Sequence, residues 1–289
     1  MTNPLNAHDT GNGRYYVHPE TGETWPSVTN IIGTGVNKPA LVPWAAKITA
    51  DAALRLAPQL AASMLKTPCR AKRKADRCGV CTPCVLARIK GEHSVVKDTA
   101  ADLGSRIHAI AEATVLGKPH EDDPEAAPFV EQAIRFYDEF HIDLEHDVEA
   151  AETTVVNRAA GYAGTLDLLL WLDIGQGKKL TVLDYKTSST RPVGSVYPEY
   201  GLQVAALIHG ETALLDTGDE VPLPRAEQAV ICNLRAHDYA LTRMPVAGSI
   251  DDAYRAFLGC LATTSYLHAA HDADRPQPLT PPEAQKKAA

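Results

Sequence analysis

Three consecutive strand-like runs restrict the fold of this chain more than any other feature of its sequence. The runs AETTVVN, GYAGTLDLLLWLD and KLTVLDYKTS are rich in β-branched and apolar residues, and the turn signals AAG and GQGK separate them. Because such short turns join strands that lie side by side, the runs predict an antiparallel meander. Helical patterns precede and follow it, so we expect an α/β (α+β) fold in which helices flank a central sheet.

Helical periodicity predicts three helices before the meander and two after it. The second helix is expected to begin at a capping Asp98 and to end at Leu116. Two further strands, AEQAVICNLR and DYALTRMPV, follow the fourth helix, and a small hairpin opens the chain. The other helices are expected from about Trp44, over Pro128–His141, over Tyr200–Leu215 and over Ile250–Ala270.

The composition is that of a globular protein. The 289 residues carry a formal net charge of -8, and 45% of them are hydrophobic, which is enough for one large core or two small ones. No run of 18 apolar residues occurs, and the first residues lack the basic and then apolar order of a secretion signal. We therefore expect a cytoplasmic protein with no membrane among its partners.

Charge is distributed unevenly along the chain. The segment from Lys66 to Lys90 has eight basic residues and one acid, Asp76, so its net charge is +7 and the remainder carries -15. A basic segment in an acidic chain is typical of a surface that binds a polyanion such as nucleic acid, although a solvated charged loop has the same composition. The basic residues are Lys66, Arg70, Lys72, Arg73, Lys74, Arg77, Arg88 and Lys90.

The same segment contains four closely spaced cysteines: Cys69, Cys78, Cys81 and Cys84. In a reducing cytoplasm this spacing favours one metal centre over two disulfides, and four thiolates suit either tetrahedral Zn²⁺ or a [4Fe-4S] cluster. The segment is too polar to fold around an apolar core, so we expect the metal to serve as its core. Free cysteines in a loop are the alternative.

These patterns divide the chain into four parts. Residues 1–65 form an N-terminal hairpin and helix, and residues 66–92 form a cysteine-rich basic metal-binding insertion. Residues 93–271 form the main core, and the polar, Pro-containing residues 272–289 form a tail that we expect to be disordered. Two more cysteines, Cys232 and Cys260, lie in apolar stretches of the main core and are expected to be packing residues.

A second group of candidate residues follows from the strand pattern. Asp184 and Lys186 are two positions apart, so they point to one face of their strand, after the apolar Leu180 and Val182. Asp167, on the neighbouring strand, can lie beside Asp184. Two carboxylates there would hold a hard cation such as Mg²⁺ or Mn²⁺, and Lys186 would orient or help deprotonate a bound water. A pair of salt bridges at the strand ends is the structural alternative.

His108 and Glu152 extend this group, because His108 follows an apolar helix position and Glu152 precedes Asp167 by one strand. The motifs in chain order are Gly104-Ser105-Arg106-Ile107-His108, Gly164-Thr165-Leu166-Asp167, Asp184-Tyr185-Lys186 and Tyr200-Gly201-Leu202-Gln203. Their succession resembles the RecB-like branch of the PD-(D/E)XK nuclease superfamily, which includes the exonucleases of CRISPR adaptation and their phage-borne relatives. The N-terminal stretch Tyr15–Ala46 also resembles phage members of that group.

The resemblance implies a restriction-endonuclease-like core built on a central mixed sheet. The implied ligands of a catalytic Mg²⁺ or Mn²⁺ are His108, Asp167, Asp184 and the carbonyl of Tyr185. Lys186 is implied as the catalytic lysine, Gln203 as a substrate-positioning residue, and Glu152 as a residue that contacts metal or water.

Two features depart from the family. Members often have a tyrosine four residues after the glutamine, where this chain has Leu207, which weakens the implied role of Gln203. Members with an iron-sulfur cluster usually have one cysteine before the catalytic core and three after it. Here all four cysteines precede His108, so Zn²⁺ and an iron-sulfur cluster both stay open.

The resemblance further implies a metal-dependent DNA nuclease, more specifically an exonuclease that leaves 5′-phosphates in phage or bacterial DNA recombination, repair or processing. DNA would be its substrate, and a helicase or a single-strand annealing protein would be its partner. The main alternative is a non-catalytic zinc-dependent nucleic-acid-binding protein in which the acidic strands are only scaffold. A metal-dependent phosphodiesterase for small substrates is a third interpretation, which the basic segment disfavours.

Overall fold

A computed structural model of the chain describes residues 6–10, 13–69 and 77–272. Four members of the predicted basic segment, Arg70, Lys72, Arg73 and Lys74, lie outside the described residues. The predicted disordered tail also lies outside them, apart from its first residue, Asp272.

The described residues form strands and helices in alternating blocks. The strands are β1 (Ala7–Thr10), β2 (Gly13–Val17), β3 (Thr24–Pro26), β4 (Val148–Asn157), β5 (Tyr162–Asp173), β6 (Lys178–Thr187), β7 (Thr212–Leu214), β8 (Glu220–Pro222), β9 (Gln228–Leu234) and β10 (Tyr239–Met244). The helices are α1 (Val28–Gly35), α2 (Leu41–Arg55), α3 (Ala57–Ser63), α4 (Thr82–Val115), α5 (Ala127–Glu139), α6 (Glu199–Ile208) and α7 (Ile250–Asp272). Among the described residues, no helix is both long enough and apolar enough to cross a membrane.

A seven-stranded sheet forms the centre, in the order β10-β9-β6-β5-β4-β7-β8. Strands β4, β5 and β6 make the predicted antiparallel meander. Strand β6 also pairs in parallel with β9, so the sheet is mixed, and α6 lies on the long connection that a parallel pair requires. The prediction of an α/β (α+β) fold with a central mixed sheet flanked by helices is confirmed.

Helices cover both faces of this sheet. On one face, α1, α6 and α7 bury Ile31, Leu207 and Phe257 against it. On the other face, α4 and α5 bury Ile107 and Phe136. Removing this apolar surface from water contributes about 25 cal/mol for each Å² and makes the two cores the main source of stability. Successive residues of β6 alternate between the two cores, as its sequence predicts.

The N-terminal strands form a separate three-stranded antiparallel sheet in the order β1-β2-β3. Tyr16 and Trp25 of this sheet are buried together with Val156 of β4. A parallel bridge between Ser27 and Ala163 then connects the end of β3 to β5. The small sheet is therefore fixed against the meander rather than standing apart from it.

The predicted start of the second helix is wrong. Helix α4 begins at Thr82, with Cys81 at its N-cap, and continues without a break through Asp98 to Val115. All side chains from 94 to 102 are exposed, so this stretch has no apolar stripe that would mark a helix. The adjacent Ala100 and Ala101 within it have high intrinsic helix propensity and favour continuation of the helix.

The predicted helix Tyr200–Leu215 is also too long. Helix α6 ends at Ile208, and Thr212–Leu214 form β7 instead. Strand β7 pairs with β4 at the side that the meander leaves open. An unpaired strand edge satisfies its backbone groups by accepting another strand, and this gain outweighs the local helical preference.

Helices α2 and α3 pack with the first part of α4 around a small apolar core of their own. This core contains Leu56, Val85 and Ile89, all buried. The four clustered cysteines lie at the same end of α4, because Cys81 and Cys84 belong to its cap and first turn. We call α2, α3, the described residues 64–69 and 77–81, and α4 up to Lys90 the cysteine module.

Candidate active site and metal centre

The two chemistry-bearing residues of β6 lie side by side, as their spacing predicts. The Nζ of Lys186 is 2.5 Å from Oδ2 of Asp184, and the Asp184 side chain is only 2% exposed. Gln203, from the first half of α6, connects the two: its Nε2 donates to Oδ1 of Asp184 at 2.6 Å, and its Oε1 accepts from Lys186 at 3.1 Å. The ring of Tyr200 lies 5.1 Å from the Lys186 ammonium, within the range of a cation–π contact.

Asp167 lies at the point where the ladder between β5 and β6 ends. The last paired residues there are Leu168 and Leu183. Beyond them, Oδ2 of Asp167 accepts a hydrogen bond from the backbone N–H of Tyr185 at 2.7 Å. A side chain thus replaces the main-chain carbonyl as partner of this N–H, and the carboxylates of Asp167 and Asp184 face the same space.

Glu152 reaches this space through an unusual backbone conformation. Its φ angle is +44°, in the left-handed region that non-glycine residues seldom adopt. The register of β4 against β5 passes from Ala151 to Thr153 without Glu152, which is left out of the pairing. Such strain persists where the surrounding structure enforces it, and it often occurs at functional sites. Here it turns a strand carboxylate into the cavity.

His108, from α4, completes the group of candidate ligands. Its Nδ1 is 3.5 Å from Oδ2 of Asp167, and its ring stands edge-on to the ring of Tyr185. One ligand atom each of His108, Glu152 and Asp167 fall within 4.8 Å of one another, close enough to bind a single cation. Carboxylate and imidazole ligands of this kind suit Mg²⁺ or Mn²⁺.

The ionisation of these groups reflects their crowding. Burial raises the pKa of Asp184 to about 6, and the negative charge of Asp167 acts in the same direction. Burial also opposes ionisation of Asp167, but His108, Lys186 and the Tyr185 N–H outweigh it and lower the pKa of that carboxyl. The pKa of His108 is raised, because the surrounding carboxylates outweigh the effect of its burial. The carboxylates therefore concentrate negative charge at the site, and a bound cation would neutralise it.

One cavity of about 390 Å³ is lined by His108, Glu152, Asp167, Asp184, Lys186 and Gln203. The N-terminal sheet and α1 contribute Arg14, Tyr16 and Thr29 to its wall, and no motif in the sequence assigned these residues to the site. The hydroxyl groups of Tyr16 and Thr165 are 2.7 Å apart, and Arg14 is paired with Asp9. The alternation in RYYV, which puts Arg14 and Tyr16 on one face, was the available signal, but nothing in the sequence indicated which face meets the site.

The backbone and the side chain of Tyr185 have different surroundings. Its backbone borders the cavity through the N–H that Asp167 accepts, whereas its phenol is buried on the opposite face and hydrogen-bonds to the hydroxyl of Tyr137. The implied ligation of a cation by its carbonyl stays a prediction. Leu207, which stands where the resembled family has a tyrosine, is buried in the core and also borders the cavity.

The four clustered cysteines converge at the start of α4. The four Sγ atoms lie within 4.8 Å of one another, and four of their six distances are 3.5 Å from Cys69 to Cys84, 3.8 Å from Cys78 to Cys84, 3.6 Å from Cys69 to Cys81 and 3.4 Å from Cys81 to Cys84. Four ligands at Zn–S bonds of about 2.3 Å define a tetrahedron with edges of about 3.8 Å, close to these values. A [4Fe-4S] cluster has each thiolate on a different iron, so its sulfurs stand farther apart. The spacing therefore suits a single tetrahedral ion.

Backbone groups support thiolate character at this centre. The N–H of Cys69 donates to Sγ of Cys81 at 3.5 Å, and this contact is the main reason that the pKa of Cys81 falls to about 6. The N–H of Cys81 in turn donates to Sγ of Cys78 at 3.4 Å. Deprotonated sulfur is the form that binds metal, so Cys81 is suited to ligation, whereas burial raises the pKa of Cys84 to about 12 and metal binding would have to displace its proton. Cys232 is fully buried in the main core and Cys260 is partly buried.

No protein-family model matches the chain, and no curated protein sequence matches it. A proposal about its function therefore depends on the geometry of the two sites.

Proposed function

We propose that this protein is a metal-dependent nuclease that hydrolyses phosphodiester bonds of DNA. One observation carries the proposal: three carboxylates, an imidazole and a lysine, from four different elements, converge on one cavity. Mutual repulsion and burial make such a cluster costly for a protein unless it binds a cation or reacts. A set of salt bridges at strand ends would not need Glu152 in a left-handed conformation.

The residues of the cavity divide into two roles. His108, Glu152 and Asp167 would bind Mg²⁺ or Mn²⁺, with Asp184 beside them. When bound, the cation polarises a phosphate oxygen and lowers the pKa of its water. Lys186, oriented by Asp184 and Gln203, would place a donor and a positive charge next to the attacking oxygen. Attack at phosphorus then breaks the bond to the 3′ oxygen, which leaves as a hydroxyl and places the phosphate on the 5′ side.

The biological setting that we propose is processing of DNA ends in phage or bacterial recombination or repair. The chain has no GxxxxGK[ST] sequence for nucleotide-driven unwinding, so a helicase or a single-strand annealing protein would act with it. The cysteine module would bind one structural Zn²⁺, because the Sγ spacing fits a single tetrahedral ion.

Digestion of end-labelled DNA tests the catalytic proposal. Single- and double-stranded DNA labelled at the 5′ or 3′ end is incubated with the protein and Mn²⁺, with and without EDTA. We expect EDTA-sensitive release of products with 5′-phosphates, and a loss of at least about 100-fold in Lys186→Ala and Asp184→Asn. Lys179→Ala, at the opposite end of β6, is the matched control and should retain the parental rate.

Equal cleavage by Lys186→Ala and the parent would refute the assignment. Tight DNA binding without any cleavage, unaffected by Asp184→Asn, would instead support the non-catalytic zinc-dependent binding protein. Hydrolysis of small phosphodiesters with no activity on DNA would support the third interpretation.

A further inference from the structure

Helix α4 connects the two candidate metal sites directly. Cys81 caps its first turn, Cys84 lies in that turn, and His108 lies in its last third. At about 1.5 Å per residue, the helix separates the cysteine centre from the candidate active site by about 40 Å. Each end is held by a different core, one around Val85 and Ile89 and the other around Ile107.

The middle of α4 is exposed on every side, and we call residues 94–102 the bare stretch. Every residue from 94 to 102 is exposed, which is more than two full turns. A helix that buries no face along such a length is a bridge between two bodies. Between its anchored ends, α4 therefore acts as a rigid spacer.

The cavity borders this spacer. Ala100, Ala101 and Gly104 form part of its wall, and the first two belong to the bare stretch. These small residues leave room for a ligand to lie close to the helix backbone. A polymer that enters the cavity next to them and follows α4 toward its N-terminus arrives at the cysteine module.

The cysteine module presents positive charge at that position. Lys66, Arg77, Arg88 and Lys90 are exposed, and Lys66, Arg77 and Lys90 form no ion pair with any other described residue. A tetrathiolate site with a divalent cation carries a charge of about -2, which the +4 of the described residues Lys66, Arg77, Arg88 and Lys90 more than neutralises. In a chain with a net charge of -8, this local excess is complementary to a polyanion.

We propose that the cysteine module binds the phosphate backbone of the same nucleic-acid strand that is cut in the cavity. Helix α4 is then the spacer between the binding surface of the module and the active site. The inference rests on the proposed nuclease function and names a second substrate contact for it. About 40 Å corresponds to about 12 base pairs of duplex at 3.4 Å each. Substrates shorter than the spacer reach the active site but not the module.

Cleavage of a length series tests this. DNA of about 6, 12, 18 and 24 nucleotides, single- and double-stranded, is digested with Mn²⁺ at about 50 and 200 mM salt. We expect kcat/KM of the parent to rise about tenfold or more once the length exceeds the spacer, and to fall with salt only for the long substrates. Replacing Lys66, Arg77, Arg88 and Lys90 together by Ala should remove this rise while the shortest substrate is cut at the parental rate.

The matched control replaces four exposed basic residues elsewhere by Ala: Lys118, Arg135, Arg243 and Arg255. It should keep the length dependence, and both quadruple variants should retain zinc and the parental circular dichroism. A parent without length dependence, or a module variant that keeps it, would overturn the inference.

Binding gives a readout that does not need catalysis. Fluorescence anisotropy with a labelled 24-nucleotide strand is measured on Lys186→Ala, with and without the four module substitutions. We expect the module substitutions to weaken binding and to reduce the salt slope by about three. If no variant cuts DNA but the module substitutions still weaken binding, the nuclease proposal fails and the module contact stands. Unchanged affinity would assign the surface to another partner, such as a protein.

Discussion

The carboxylate of Asp167 accepts the backbone N–H of Tyr185 at 2.7 Å, just beyond the last paired residues of β5 and β6. This one side chain therefore has two functions. It continues the connection between two strands of the central sheet, and it contributes an oxygen to the candidate cation site. The two functions can be separated experimentally, because accepting the N–H needs only an oxygen, whereas binding the cation needs the negative charge.

Asp167→Asn should keep the fold and lose the cation. The amide oxygen can still accept the Tyr185 N–H, but the charge attraction from His108 and Lys186 that lowers the Asp167 pKa is lost, so the unfolding free energy should fall by no more than about 1 kcal/mol. Asp167→Ala leaves that N–H unpaired and should cost about 1–3 kcal/mol. Denaturant unfolding with a parallel Mn²⁺ titration checks both, and equal stability of the two variants would contradict the structural role.

Gln203→Leu should slow cleavage without abolishing it. Leucine has similar bulk but cannot donate to Asp184 or accept from Lys186, so the lysine loses its orientation while its charge stays. We expect kcat to fall about 10- to 100-fold, less than in Lys186→Ala. Steady-state kinetics on one labelled substrate measure this. A parental rate in Gln203→Leu would show that the bridge has no catalytic effect.

Purified protein should contain one zinc per chain and be colourless, as the Sγ spacing predicts. Cys81→Ser should lose the metal and unfold the cysteine module, since Cys81 is buried at the centre of the cluster. Cys260→Ser, which changes a cysteine outside the cluster, is the control and should keep the zinc. Elemental analysis decides the stoichiometry. Four irons per chain with a brown colour would overturn the zinc assignment.

Acid sensitivity should depend on Asp147. Both oxygens of this buried carboxylate accept from Nζ of Lys178, at 2.6 and 2.7 Å, and this contact is the main reason that its pKa is lowered. Because the folded state holds the proton more weakly than the unfolded chain, the contribution is complete above about pH 4 and is lost as the pH falls through the folded pKa.

Asp147→Asn should therefore be about 1–2 kcal/mol less stable than the parent at pH 7 and should lose less stability between pH 4 and pH 2. Chemical denaturation across this pH range measures the difference. Asp216→Asn, which changes an exposed acid, should follow the parental curve. Parallel curves for Asp147→Asn and the parent would exclude the linkage.

Much of the fold follows from sequence patterns because those patterns are local. Alternation placed Asp184 and Lys186 on one face of β6 with Leu180 and Val182, and the turn signals between the three strands predicted the meander. The bare part of α4 could not be recognised, because a helix without a buried face has no periodicity. Strand β7 was missed because its structure depends on the open edge of β4, which lies far away in sequence.

In the candidate site, too, contacts between residues close in sequence were predicted, whereas those set by tertiary packing were not. The short spacing of Asp184 and Lys186 on one strand predicts their contact, and the structure shows it. The inward turn of Glu152 depends on a backbone angle that propensity disfavours, so no residue pattern announces it. Arg14 and Tyr16 reach the cavity only because the N-terminal sheet packs against the meander, and that packing is a tertiary event.

The parallel pairing of β6 with β9 has a consequence for how the molecule assembles. The meander can form early, since its strands are close in sequence, and it brings Asp167 and Asp184 together. Gln203 reaches Asp184 only when the crossover through α6 has docked and β9 has joined the sheet. Contacts between such distant segments form slowly. The full rate of cleavage should thus be the last property to return on refolding, after most of the secondary structure is in place.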